Sequence, residues 1–230
     1  MIIKNILAIY LSIIALPGYA QTPPPASGEV VKHTYYTLDY NEQHEQPNWV
    51  FYRLTIDNVK GTVKRKDDFR PDPDVSTGSA QLSDYKGSGY DRGHLCPAAD
   101  MKQSSQAMSE TFYLSNMSPQ VPSFNRGVWA KLEAEVRKQI KDQDDTIYVI
   151  TGPIFIGADK SIGESEVTVP TFFFKMFFAP GGDTLVYILP NRAEVDTDLS
   201  KWRSSVEMVE AMGGIGINGE VILPLFGVEG

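Results

Sequence analysis

The chain has 230 residues, of which 42% are hydrophobic and 22% charged, proportions that exclude a disordered or fibrous protein and allow one well-buried core. A formal net charge of −8 argues against strong long-range attraction of a polyanion, which normally comes with a basic footprint. The acidity is uneven, because residues 21–141 carry 15 Lys and Arg against 15 Asp and Glu while residues 142–230 carry 5 against 14.

The first twenty residues combine Lys4, an almost wholly apolar run over 6–16, and the small-residue end Gly18-Tyr19-Ala20. They read as a secretory signal peptide cleaved after Ala20, which predicts a secreted or periplasmic protein with no membrane contact afterwards. The apolar run is short for a membrane span, and Pro17-Gly18 interrupts it. Residues 21–28, rich in proline and small polar residues, read as a flexible leader, and residues 29–230 as one domain.

Within that domain, 30–38 has β character and 49–54 is a stronger strand. Lys60, Lys64, Arg65, Lys66 and Arg70 then form a basic patch closed by Pro71-Asp72-Pro73. It is either a solvated loop or a contact for a substrate backbone. Residues 76–89 read as loop. Asp91-Arg92-Gly93-His94 is short and turn-bounded, which places His94 on or beside a strand. Residues 104–110 read as one or two helical turns, 112–116 as a strand and 119–124 as a loop.

From Asn125 or its neighbour, taken as the cap, a helix is predicted to about Lys141. Val128, Trp129, Leu132, Val136 and Ile140 form its apolar stripe. Glu133 and Arg137 lie together along one edge, with Asn125 at the N-terminal end, so these polar residues face a half-buried cleft. Taken alone, the Glu133/Arg137 pair reads as a surface ion pair. Strands over 146–150, 171–178 and 184–189 follow, the last two joined as a hairpin through Pro180-Gly181-Gly182-Asp183. A helix over 198–212, stopped by Gly213-Gly214, and a short Ile/Val-rich tail complete the chain. The order of elements predicts an α+β fold, a mixed, mainly antiparallel sheet with packed helices.

The polar set has a definite chemistry. His94, one of 3 histidines, can take a proton from water near neutral pH, which predicts activity falling as it protonates in acid. Asn125 offers a neutral hard oxygen suited to Mg²⁺ or Ca²⁺, and Glu133 can hold the waters around such an ion. Arg92 and Arg137 can grip phosphate oxygens and balance developing charge. Together they point to phosphodiester hydrolysis. Cys96 is the single cysteine and cannot form an internal disulfide. Beside His94 it invites a nucleophile reading, but nothing nearby would activate its thiolate, and a buried small hydrophobe is the better reading. His33 and His44 lack zinc-ligand spacing, and the chain has no Gly-x-Ser-x-Gly elbow, Walker loop or Rossmann fingerprint.

Asp91-Arg92-Gly93-His94, then 111–116, Pro119-Gln120, and Asn125 with Glu133 and Arg137 closely resemble the DNA/RNA non-specific endonucleases. These are ββα-metal (His-Me finger) enzymes that include secreted bacterial nucleases and endonuclease G-like proteins. The resemblance extends to 49–53, 148–155 and 170–175, most of the chain. It implies that His94 is the general base and that Asn125 is the sole direct protein ligand of Mg²⁺, with Mn²⁺ or Ca²⁺ possible at the same site. It further implies that Glu133 orients waters on the ion, that Arg92 and Arg137 bind the phosphate, and that Arg53 lies near the cleft. Asp91 takes a structural role, fixing the loop or bonding backbone. Asn116 and Gln120 support the site, and Gln120 is also a candidate substrate contact. The implied substrates are DNA and RNA, single- and double-stranded, read with low base specificity. The products implied are 5′-phosphate and 3′-hydroxyl ends. A phosphodiesterase acting on another phosphate ester, and a catalytically silent nucleic-acid-binding module, are the alternatives.

Overall fold

The structure, a computed structural model, describes residues 23–179 and 184–217. Strands β1 (Glu29–Lys32), β2 (Tyr36–Asn41) and β3 (Gln46–Thr55) pair antiparallel in succession. Side chains alternate along β3: Val50, Tyr52 and Leu54 enter the main core, while Trp49 and Phe51 belong to a second one, as the two-residue period of a strand requires. After α1 (Ile56–Lys60) the basic stretch 61–69 has no regular structure. Next come α2 (Leu82–Tyr85), β4 (Asp91–His94) and α3 (Ser105–Glu110), the last capped by the Ser104 hydroxyl accepting from the Ala107 N–H.

The strand expected at 112–116 is instead a turn followed by the 3-10 segment Leu114–Asn116. Its β-prone residues fill the interior, since Phe112 and Leu114 are fully buried. The strand comes one step later as β5 (Met117–Gln120), paired antiparallel with β4 alone. Pro119 is tolerated there because a two-stranded ribbon has a free edge on each strand. The expected loop at 119–124 accordingly divides between β5 and α4 (Pro122–Phe124).

A π-helical turn, Asn125–Trp129, kinked at Gly127, and α5 (Ala130–Arg137) follow directly on α4. Pro122 in the first turn therefore starts this stretch, because its fixed φ and missing N–H suit that position. Asn125 has helical dihedrals (φ −56°, ψ −52°) and is not the cap. The regular helix ends at Arg137, short of the expected Lys141.

The remaining strands are β6 (Thr146–Ile154), β7 (Ser161–Ile162), β8 (Val167–Thr168), β9 (Phe172–Phe178), β10 (Thr184–Pro190) and β11 (Arg203–Ser204). The helix expected over 198–212 is divided. Asp198 caps a 3-10 segment, Leu199–Trp202, β11 intervenes, and Ser205 caps α6 (Val206–Gly213). Gly214 stops α6 at φ +65°, a left-handed conformation that favours glycine. β9 and β10 pair as expected, with Thr184 opposite Phe178. Their turn at 180–183, the tail from 218 and the first twenty-two residues lie outside the described residues.

Seven strands form the main antiparallel sheet in the order β1-β2-β3-β6-β9-β10-β11. On one face Tyr52, Val149, Phe173 and Phe177 pack in one cluster with Val128, Trp129, Leu132, Val136 and Ile140 of the helical stretch, the stripe read from the sequence. Each fully buried side chain of this kind contributes about 1.5–3 kcal/mol. On the other face Trp49, Ile150, Phe174 and Met176 pack with Val209 of α6 and with Ile215. The helix that carries the polar set is thus pressed against the centre of the sheet, with the β4–β5 ribbon beside it.

Candidate active site

The ribbon β4–β5 and the helical stretch bring the two halves of the polar set together. Asn125 donates its side-chain N–H to Asp91 Oδ2 at 2.9 Å, and Arg126 clamps both Asp91 oxygens at 2.8 and 2.6 Å. Burial works against the Asp91 charge, but these hydrogen bonds and the charges of Arg126 and Arg92 hold its pKa below the ordinary value. With its amide N–H committed to Asp91, the Asn125 carbonyl oxygen has no hydrogen-bond partner among the described residues, and Asn125 lines a cleft of about 750 Å³. Arg65, Phe69, Asp91, Arg92 and Arg126 line the same cleft. The π turn contributes to this aim. It contains Gly127 at φ −104°, ψ −106°, and inserting a residue turns the preceding backbone by about 100° relative to a regular helix.

Gly93 admits no side chain. A Cβ there would stand 2.2 Å from the Gln120 side chain, so glycine is what leaves room for that side chain between Arg92 and His94. Gln120 itself is fully buried, and neither polar atom of its amide has a partner among the described residues. It therefore presents no surface to a substrate, contrary to the substrate-contact role, and its side chain packs within the ribbon over Gly93. Asn116 accepts from the Cys96 N–H at 2.9 Å and donates to the carbonyls of Cys96 and Thr111. This pins the turn that follows His94.

His94 is 9% exposed and lies between aromatic rings, edge-on to Phe69 at 5.6 Å and to Phe112 at 5.0 Å. Its Nε2 has no partner among the described residues. Burial first, then the charges of Arg65 and Arg92, lower its pKa to about 3. The expectation of a near-normal histidine pKa is therefore corrected: the imidazole is neutral across the working range. Arg92 stacks over Phe69 at 4.1 Å, and Arg65 over Phe112 at 4.9 Å, so two cations stand on the rings that enclose the imidazole. Phosphate binding to these arginines would cancel the charges that oppose protonation of His94.

Behind the cleft lies a network of charges, of which the sequence suggested only half. Arg137 donates to Asp100 Oδ1 at 2.6 Å, and the Tyr52 hydroxyl donates to Asp100 Oδ2 at 2.9 Å. Lys175, fully buried on β9, reaches the Leu95 carbonyl at 3.4 Å and lies 4.9 Å from the Trp129 ring centre. Glu133 is half-buried and makes no hydrogen bond among the described residues. Burial raises its pKa to about 7, against the pull of Lys175, Arg137 and Arg65 and with the push of Asp100. Glu133 and Arg137 are thus no surface ion pair. Arg137 is held by Asp100, 37 residues away in sequence.

Arg53 is not brought to the cleft. It is exposed, adjacent to inward-facing Tyr52, and lines a separate cavity of about 530 Å³ with Tyr35, Phe51 and Asp57. Cys96 is fully buried and its thiol pKa is pushed up by burial and by Asp100, which fits the buried hydrophobe and removes the nucleophile reading. Sequence reasoning missed Arg126, Asp100 and Lys175. Only Lys175 left a clear signal, a lysine inside the otherwise apolar strand Phe172–Phe178, where a charge needs partners. A further grouping, His33, Asp72 and Asp74, has ligand-type atoms within 4.8 Å of one another. It does not line the Asn125 cleft, and both His33 nitrogens already face carboxylates.

An antiparallel ribbon leading into a helix, with histidine on one and asparagine on the other, is a ββα unit, and the fold is that of a ββα-metal nuclease. The model of the DNA/RNA non-specific endonuclease family matches residues 18–221, and the chain belongs to that family. Nuclease C1 of Cunninghamella echinulata var. echinulata is 38% identical over 84% of this chain and 83% of its own. Human mitochondrial endonuclease G is 36% identical over 87% and 70%, and the Caenorhabditis elegans mitochondrial endonuclease G 36% over 84% and 73%. A chain in the crystal structure of the EndoG/EndoGI complex, reported for the mechanism of EndoG inhibition, superposes with a TM-score of 0.74 at 32% identity, over 82% of this chain and 85% of that one. The mitochondrial relatives contradict the secreted or periplasmic localisation read from residues 1–20. The protein is a nuclease acting on nucleic acid, and its family is metal-dependent.

Proposed function

We propose that the protein cuts DNA and RNA, single- and double-stranded and with little base specificity, by Mg²⁺-dependent hydrolysis, with His94 as general base and Asn125 as the metal's direct protein ligand. The observation that supports this reading is the Asp91–Asn125 hydrogen bond, which commits the amide N–H of a residue that lines the cleft. The donor set fits a hard cation: one neutral oxygen at the wall, and in Glu133 a carboxylate with no hydrogen bond of its own among the described residues. Mn²⁺ and Ca²⁺ suit the same donors. The bound cation supplies Lewis-acid stabilisation of the leaving 3′-oxygen.

The side chains do the rest. Arg92, and Arg65 from the basic stretch, hold the phosphate over Phe69 and Phe112. His94 takes a proton from the attacking water, whose oxygen bonds to phosphorus as the P–O3′ bond breaks. The leaving 3′-oxygen takes up a proton from water, which leaves a 5′-phosphate and a 3′-hydroxyl. Glu133 accepts hydrogen bonds from water around the cation, and Arg137, fixed by Asp100, balances charge growing on the phosphate.

Nicking of supercoiled plasmid with Mg²⁺ tests the reading. EDTA is expected to abolish it, and Asn125→Ala to weaken metal dependence more than DNA binding. Intact plasmid, linear DNA and RNA after incubation with Mg²⁺ or Mn²⁺ would refute it, and equal loss of metal response and DNA affinity would remove Asn125 as the ligand.

The pH profile separates His94 from Glu133. With His94 neutral down to about pH 3 and Glu133 taking up a proton near pH 7, loss of activity on acidification belongs to Glu133, which must be ionised to hold water. Glu133→Gln is expected to lower kcat/KM and to flatten the profile over about pH 5 to 8. An acid limb that survives in Glu133→Gln would return that limb to His94.

A further inference from the structure

The cleft wall carries a stronger ligand for a hard cation than the Asn125 amide. Asp91 lines the same cleft, and affinity for such ions rises with the charge of the ligands. A cation beside Asn125 would draw this carboxylate to itself unless something held it back.

Arg126 holds it. Its Nε donates to Asp91 Oδ2 at 2.8 Å and its Nη2 to Oδ1 at 2.6 Å, so both carboxylate oxygens are engaged and the plane of the group is fixed. Oδ2 also accepts from the Asn125 amide at 2.9 Å. The clamp joins the first residue of β4 to the π turn, across 35 residues of sequence. It contributes little to stability, because the Arg126 side chain is 73% exposed and exposed ion pairs stabilise weakly. What the planar fork supplies is direction. It keeps Asp91 turned towards the helical stretch, with neither oxygen left without a donor.

We propose that Arg126 is a positioning residue that withholds Asp91 from the cation, so that the carboxylate stays the acceptor for the Asn125 amide and does not become a second ligand. This rests on the reading of Asn125 as the metal's direct protein ligand, and it accounts for a neutral amide holding the ion while a carboxylate stands beside it. The consequence is chemical. A cation with one neutral protein ligand keeps more of its charge, and more of its positions stay open to water and phosphate. A bound carboxylate would cancel charge and displace water.

Mn²⁺ is the probe, titrated without nucleic acid and followed by electron paramagnetic resonance of the free ion. Its inner waters are counted from the enhancement of water-proton relaxation, and the site is defined as the binding that Asn125→Ala removes. Arg126→Ala is expected to bind Mn²⁺ about tenfold more tightly, with fewer inner waters than wild type, and to nick plasmid with kcat lowered about tenfold. Its melting temperature is expected to hold. Adding Asp91→Ala to Arg126→Ala is expected to bring the waters back. Loss of the guanidinium charge alone would also tighten Mn²⁺ but would leave its waters in place, so the water count decides. Binding to Arg126→Ala that is no tighter than wild type, or that keeps every wild-type water, overturns the withholding role and leaves Asn125 as the proposed ligand. No Mn²⁺ bound by wild type, or Mn²⁺ bound equally by Asn125→Ala, overturns the ligand reading and this role with it.

Discussion

His94→Ala is expected to lower kcat for plasmid cleavage by about 10²–10⁴-fold, the usual contribution of a positioned general base. Affinity for duplex DNA should change little, because the imidazole is only 9% exposed and the arginines over the flanking rings remain. The substitution also leaves a ring-shaped space between Phe69 and Phe112. Imidazole added to the solution can enter that space and restore part of the rate, in proportion to its unprotonated fraction. A variant that folds but binds DNA far more weakly would show His94 to be a packing residue. One that retains wild-type kcat would remove it as the base.

Asp100→Ala is expected to have the largest effect on stability, about 3–5 kcal/mol, because it strands the partners of a buried charge. Asp100 is fully buried and accepts from both Arg137 and Tyr52. Lys175 and Arg137 face Asp100 and Glu133, and deleting Asp100 removes the carboxylate that both Arg137 and Tyr52 bond. For a chain of this size each kcal/mol moves Tm by about 2–4 °C, so a drop of roughly 6–20 °C is expected, measured by thermal melting and checked by urea unfolding. Activity below the new Tm should also fall, since Arg137 loses the acceptor that aims it. Asp100→Ala within about 1 kcal/mol of wild type would show that the network is not a stabilising unit.

The readable parts of the fold were those whose signals are local. The period of β3 and the phenylalanine-rich β9 are written in consecutive residues, and so is the apolar stripe from Val128 to Ile140. The ribbon was harder. Phe112, Tyr113 and Leu114 have strand-like side chains, but their burial is used in a turn, and β5 hides behind a proline. The site shows the same division. Asp91, Arg92, His94, Asn125, Glu133 and Arg137 were legible as chemistry-bearing types at a particular spacing. Asp100 and Lys175 act through partners 37 and 80 residues away, a separation that no window along the chain can see. Arg53 shows the opposite error, since strand alternation sends it to the face opposite Tyr52.

The π turn at Asn125–Trp129 separates two duties that a regular helix would couple. In an unbroken α-helix the direction of Asn125 is fixed once the stripe from Val128 to Val136 is seated on the sheet. The turn adds a local change of phase, so the anchor and the pointer are set independently. Shortening the turn by one residue at Gly127 would leave the stripe seated and swing Asn125 by about 100°, out of reach of Asp91. The aim of the proposed ligand is therefore governed by residue count in one turn of helix, which makes this enzyme sensitive to single insertions and deletions at a place where no side chain would look changed.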